Sequence, residues 1–165
     1  MNPAGKIEFH PGQIDGVIVR DLCKFVDERG WLTEIFRQDE LEAEYHPAMA
    51  YVSMSLPGVI RGPHTHVDQA DLFAFFGPSH FKLRIWDTRS ESRTYGCEMT
   101  LLLGEDHPTL VLIPKGLAHA YQNIGSQPGW VLNCPNRLYA GVGRKEEVDE
   151  IRHEDEAWTP LRMDD

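Results

Sequence analysis

His80-Phe81-Lys82-Leu83-Arg84-Ile85-Trp86 alternates polar and apolar side chains with a period of two. Successive side chains of a strand point to opposite faces, so Phe81, Leu83 and Ile85 share one face and His80, Lys82 and Arg84 the other. The expectation is a strand with one face on a core and the other meeting water or a polar ligand. Working outward, further short apolar stretches read as strands over 17–25, 31–36, 49–55, 72–76, 99–103, 109–113, 118–123 and 130–134. Turn signals separate them: Glu28-Arg29-Gly30, Leu56-Pro57-Gly58, Gly77-Pro78-Ser79, Gly104-Glu105-Asp106 and Gln127-Pro128-Gly129. Only 38–45 carries a helical pattern. Many short strands without long helices between them argue for an all-β sandwich or jelly roll and against a parallel α/β fold.

The bulk properties narrow the class. A chain of 165 residues without repeats or linkers reads as a single domain over 1–165. Within it, 1–30 forms an N-terminal arm with the first strands, and 146–165 forms an acidic, solvated tail. A formal net charge of −10 disfavours nucleic acid or an anionic membrane as partner. A small anionic ligand stays open, because local arginines override the global field. No run reaches the roughly 18 apolar residues of a membrane span, and the first 12 residues lack a signal-peptide pattern. Cys23, Cys97 and Cys134 are an odd, scattered set, expected as small core or half-core residues of a reduced, cytoplasmic protein.

Two segments carry the chemistry. Gly62-Pro63-His64-Thr65-His66 places two histidines two apart, on the same face of a strand. Pro114-Lys115-Gly116-Leu117-Ala118-His119 delivers a third just after a strong turn. If the strands close into a small barrel, all three imidazoles line one pocket. There they move a proton or hold a metal.

Four ordered motifs extend this reading. They are Asp27-Glu28-Arg29-Gly30-Trp31-Leu32-Thr33-Glu34, Val59-Ile60-Arg61-Gly62-Pro63-His64, the Asp87 to Gly96 segment, and Ile113-Pro114-Lys115-Gly116-Leu117-Ala118-His119-Ala120-Tyr121. Together they resemble the dTDP-4-dehydrorhamnose 3,5-epimerases, over roughly 10–155. The resemblance implies a cupin jelly roll, typically a homodimer. It requires no cofactor and acts on a nucleotide-diphosphate sugar, a 4-keto-6-deoxysugar. A base removes the C–H proton next to the ketone and a second group returns a proton to the opposite face. The resemblance assigns the base to His64 and a pocket role to His119. The acid is a tyrosine on the strand after the Pro-x-Gly turn, best matched by Tyr139. Arg29 and Arg61 would grip the diphosphate or sugar, with Glu34 and Arg84 as further substrate-binding candidates.

The chain departs from the family pattern at three places. No lysine follows His64 to hold the enolate oxygen; the segment reads Asp68-Gln69-Ala70-Asp71-Leu72. The family's late aspartate, which orients the base, has only Asp149 and Asp155 as candidates. The usual glutamine two residues after the base is His66. The resulting set His64, His66, Asp71 and His119, with Asn123 four further on, resembles the metal motif of other cupins. Such a set suits Fe, Mn, Ni or Zn, and a metal there would replace the lysine as electrophile. His64 cannot ligate that metal and act as base at once.

Plainer readings stand beside each of these. His64 and His119 can be hydrogen-bonded strand-end and turn residues, Asp71 an edge residue, and Tyr139 a core cover. Arg29 can brace its turn through Asp27 or Glu34, Arg61 can sit in a buried ion pair, and Lys82 with Arg84 can form a solvated face. His10, His46, His80, His107 and His153 read as surface residues. Phe73, Phe75, Trp86, Tyr121 and Trp130 read mostly as core, with one or two free to stack on a sugar or base. The competing functions are a metal-dependent cupin isomerase, lyase or dioxygenase on another small molecule, and a non-catalytic sugar-nucleotide-binding cupin.

Overall fold

The computed structural model describes residues 7–154, 156 and 159–164. Thirteen strands follow one another along the chain: β1 (His10–Pro11), β2 (Ile18–Asp21), β3 (Lys24–Asp27), β4 (Gly30–Thr33), β5 (Tyr51–Ser55), β6 (Ile60–Thr65), β7 (Asp71–Phe75), β8 (His80–Asp87), β9 (Cys97–Gly104), β10 (Thr109–Ile113), β11 (Leu117–Asn123), β12 (Gly129–Asn133) and β13 (Ile151–Arg152). One sheet runs β1-β9-β8-β11-β6-β13, a second runs β2-β10-β7-β12-β5, and β3-β4 forms a separate hairpin. Every pairing is antiparallel except β1 with β9. This is the expected all-β jelly roll.

Three apolar layers explain the packing. Phe81, Leu83 and Ile85 of β8 meet Phe73, Phe75, Val111 and Val131 of the opposite sheet between the two sheets. The outer face of the second sheet, with Leu72, Ala74, Leu110 and Leu112, is covered by Leu22, Ile35, Phe36, Leu41 and Tyr45. The outer face of the first sheet, with Trp86, Ala118 and Ala120, is covered by Leu161, Met163 and Phe9. Strands β7 and β10 are therefore buried on both faces.

Several expectations are corrected. The polar face of β8 is not solvated. Arg84 is only 8% exposed and donates to Thr100 Oγ1 and to the Arg162 and Asp164 carbonyls. Lys82 donates to the Met163 carbonyl. Arg84 thus anchors the C-terminal segment on the outside of the sandwich, on the face opposite the core between the sheets. For the same reason the acidic tail is not simply solvated, since it carries two buried apolar side chains. The expected strand over 17–25 breaks where Leu22 turns in and its N–H donates to the Pro108 carbonyl, sending β3 out into the hairpin. The strand over 31–36 ends at Thr33, because Ile35 and Phe36 pack on the second sheet. The helical stretch consists of two 3-10 turns, Gln38–Glu40 and Ala43–Tyr45. Cys23 is exposed rather than core, Cys97 is half-buried and Cys134 is buried. Trp130 is half exposed, whereas Phe73, Phe75, Trp86 and Tyr121 are buried.

Strand β6, which bears His64, is read from the sequence only through its paired histidines and not among the apolar stretches. Gly62 interrupts its alternation with φ +89°, and the pairing with β11 shifts register between His119 and Tyr121. Only glycine fits there: a Cβ on Gly62 would lie 2.7 Å from the His119 carbonyl oxygen and 3.0 Å from His64 Nδ1.

Candidate functional site

The three histidines converge. His64 on β6 stands directly across from His119 on β11, with ring centroids 4.3 Å apart at 73°. His66, one residue beyond β6, lies 5.2 Å from His64 and 5.9 Å from His119 by ring centroid. Asp71, the first residue of β7, arrives from the opposite sheet. Its Oδ2 lies 3.2 Å from Nε2 of both His66 and His119. The set therefore occupies the open end of the sandwich, between the sheets. Phe73 closes it below, edge-on to His119.

Each buried member is oriented from behind. His119 Nδ1 faces the Leu117 carbonyl at 3.2 Å, and His66 Nδ1 faces the Asp149 carbonyl. Asp71 Oδ1 accepts from the side-chain amides of Gln69 at 2.9 Å and Asn133 at 2.8 Å. The turn before β11 ties in as well, because the Gly116 N–H donates to the His66 carbonyl at 2.8 Å. Asn123, at the far end of β11, bonds to Ser79, Ser55, Gly125 and Gln127 and takes no part in the set.

Asp149 is one of the two candidates for the family's base-orienting aspartate. Its backbone carbonyl accepts from His66 instead, and its carboxylate accepts the N–H groups of Val67, Asp68 and Gln69 at 2.8–2.9 Å. Burial would raise its pKa, but these three N–H groups outweigh that and hold it below the usual carboxylate value. Asp155 lies outside the described residues.

His64 differs from its neighbours. It is half-buried, borders open space and has no side-chain hydrogen bond among the described residues. Burial, then the adjacent His119 and His66 rings, push its pKa down to about 2, so its ring is neutral. Burial would raise the pKa of Asp71, but the His119 and His66 rings beside it outweigh that and hold it well below the usual carboxylate value.

Two adjoining cavities meet at His64. The larger, about 720 Å³, is lined by His64, His66 and Tyr51, by Arg137, Tyr139 and Arg144 from the segment after β12, and by Asp149 and Arg152. The smaller, about 280 Å³, is lined by Tyr51, Ser53, Arg61, His64, Tyr121 and Arg152. Tyr139 lies in a turn rather than on a strand, and lines the larger cavity. Arg61 is held at the rim of the smaller one by Ser55 Oγ at 2.9 Å and the Met54 carbonyl at 2.8 Å, not by an ion pair.

Arg29 and Glu34 are not brought to the cleft. Arg29 sits at the tip of the β3-β4 hairpin with its side chain 84% exposed, paired to Asp27. Glu34 is exposed and lies 4.0 Å from Arg37. The surface reading holds for His10 but not for His153, which is half-buried between Thr65 Oγ1 and Glu156.

Sequence reasoning missed Tyr51, Arg137, Arg144 and Arg152. Tyr51 lines both cavities; its hydroxyl accepts from Asn133, and burial pushes its pKa up to about 12. An apolar-looking strand start and three scattered arginines gave no local pattern to single them out.

Comparison with known proteins adds four likenesses. The family model of dTDP-4-dehydrorhamnose 3,5-epimerase matches residues 11–158. The spore coat polysaccharide biosynthesis protein SpsL of Bacillus subtilis is 44% identical over 115 residues, covering 70% of this chain and 75% of that one. A probable low-salt glycan biosynthesis epimerase, Agl13 of Haloferax volcanii, is 39% identical over 127 residues, covering 76% and 81%. Among solved structures, a dTDP sugar isomerase of Desulfovibrio desulfuricans superposes with TM-score 0.77 at 22% identity, covering 87% of each chain.

Proposed function

The chain belongs to the dTDP-4-dehydrorhamnose 3,5-epimerase family, and we propose that it epimerises a nucleotide-diphospho-4-keto-6-deoxysugar in a cytoplasmic pathway that supplies a surface glycan. The observation that carries the reading is the place of His64: an imidazole at the seam of two cavities, with no side-chain hydrogen bond among the described residues. Such a ring accepts the proton from the carbon next to the ketone and leaves an enolate. Tyr139, on the larger cavity, is the acid that returns a proton to the opposite face. His119 fixes the His64 ring by edge contact. Arg61 and Arg152 border the smaller cavity and Arg137 and Arg144 the larger. Guanidinium forks at these positions suit a diphosphate in a protein whose net charge is −10.

The names of the relatives support the glycan context, one being a spore coat polysaccharide protein and the other a glycan biosynthesis epimerase. No helix among the described residues is long and apolar enough to cross a membrane. Enolate chemistry of this kind proceeds with acid, base and electrophile alone, so the resemblance requires no resident cofactor.

The test is solvent-deuterium incorporation into dTDP-4-keto-6-deoxyglucose. His64→Asn keeps the polar shape but removes the basic nitrogen. Incorporation at the carbons flanking the ketone should fall roughly 10²–10⁴-fold. Undiminished incorporation would move the base elsewhere.

A further inference from the structure

We propose that His66, Asp71 and His119 form a binding site for one divalent first-row transition-metal ion, with its open coordination position beside His64. The argument begins with which atoms carry hydrogens. Carbonyl oxygens only accept, so the contacts of His119 Nδ1 to Leu117 O and of His66 Nδ1 to Asp149 O put the ring hydrogens on Nδ1. Both Nε2 atoms then present lone pairs, and both point at the same carboxylate oxygen, Asp71 Oδ2, 3.2 Å from each. Three lone pairs meeting in a dry interior repel one another unless something positive lies between them.

The surroundings leave that place open. Asp71 Oδ2 and His119 Nε2 are fully buried and make no hydrogen bond of acceptable geometry. Buried polar atoms are rarely left this way. His66 Nε2 has one long alternative contact, to the Gln69 amide at 3.3 Å. Asp71 Oδ1 is already saturated by two amide donors, so the carboxylate offers Oδ2 as a single-point ligand. A proton on one imidazole would satisfy one of the two contacts to Oδ2 but not both.

The dimensions fit a cation. Metal–nitrogen and metal–oxygen bonds near 2.1 Å place neighbouring ligand atoms roughly 3.0–3.4 Å apart, against 3.2 Å for both contacts here. One donor atom from each of His64, His66, Asp71 and His119 lies within 4.8 Å of the others. Two Nδ1–H groups donating to backbone carbonyls are the usual outer support of metal-bound imidazoles. Two imidazoles and one carboxylate favour zinc, iron(II), manganese, cobalt or nickel over magnesium or calcium. His64 is the one member that is not fully buried and borders the cleft, so it stays a base and the vacant position lies next to it. Resting on the epimerase reading for its use, the ion would sit where an enolate oxygen needs positive charge, in a chain with no lysine there.

The test is a titration of untagged, chelator-stripped protein with Co²⁺, followed by visible absorption and by competition with Zn²⁺. One equivalent should bind, with d–d bands of nitrogen and oxygen ligation, and the melting temperature should rise with free cation. His66→Ala and Asp71→Asn should each weaken binding about 100-fold, whereas His153→Ala should leave it unchanged. Since buried substitutions can disturb folding, the wild-type titration decides on its own: no uptake at millimolar Co²⁺ overturns the site. Uptake unchanged in both ligand variants overturns it too. Solvent-deuterium exchange into the sugar nucleotide is read separately. Metal uptake without exchange in any metal form would sink only the epimerase reading, and exchange by a protein that takes up no metal would sink only this one.

Discussion

Tyr139 and Tyr51 both line the larger cavity, and their surroundings set them apart. Tyr51 also lines the smaller cavity, and burial makes its phenol a reluctant proton donor, with a pKa near 12. Tyr139 is 57% exposed and can re-protonate from solvent after each turnover. Tyr139→Phe should therefore leave C–H exchange running while net inversion falls roughly 10²-fold or more. Tyr51→Phe should change kcat far less. Stereochemical analysis of the product by NMR separates the two, and a larger loss in Tyr51→Phe would transfer the acid role to that residue. The histidines were legible in the sequence because strand periodicity puts 64 and 66 on one face and a Pro-Lys-Gly turn aims 119. Tyr51 and Arg152 were not, because each reaches the cleft from a neighbouring element with no chemical signature of its own.

Elements matter here as holders. The segment before β13 clamps the loop after β6 through a single carboxylate, with Asp149 accepting three successive N–H groups. Asp149→Ala should free those amides, so that hydrogen exchange at Val67, Asp68 and Gln69 speeds up about 10–100-fold while the melting temperature shifts little. Unchanged protection at these amides would show that the loop is held elsewhere. Asp87 does similar work at the end of β8, taking Arg89, Ser92 and Thr94 together. Burial would raise its pKa, yet these bonds hold it well below the ordinary carboxylate value. The folded chain thus binds its proton more weakly than the unfolded chain. The resulting stability is fully present above about pH 4 and is lost as pH falls further. Asp87→Asn should cost roughly 2 kcal/mol at neutral pH and flatten the acid limb of a urea-stability profile; an unaltered acid limb would count against this account. At this scale the sequence read best where alternation was uninterrupted, as in β8, or where an apolar run was unbroken, as in β10. It failed at β6, where Gly62-Pro63 breaks the pattern, and at two-residue strands such as β1 and β13, too short to show a period.

The whole molecule presents one surface that a lone chain leaves uncovered. The β3-β4 hairpin exposes Phe25, Val26, Trp31 and Leu32, while β5, an edge strand of the second sheet, exposes Val52 and Met54. Apolar patches and open strand edges of this kind are what association covers. The homodimer that the family resemblance implies would give them a partner of matching character in a second copy. Arg29, remote from its own cleft at the hairpin tip, can act as an anion anchor only if that hairpin reaches another chain. Val26 is 76% exposed, so Val26→Glu leaves the fold of one chain intact while placing a charge in the covered face. Sedimentation should show twice the mass of one chain for the wild type and a single chain for Val26→Glu, with epimerisation reduced at least 10-fold. Arg29→Ala should remain dimeric and raise KM about 10-fold for the loss of one charged contact. A monomeric wild type, or a Val26→Glu monomer with full activity and an unaltered KM in Arg29→Ala, would confine the site to one chain and leave the hairpin without a catalytic part.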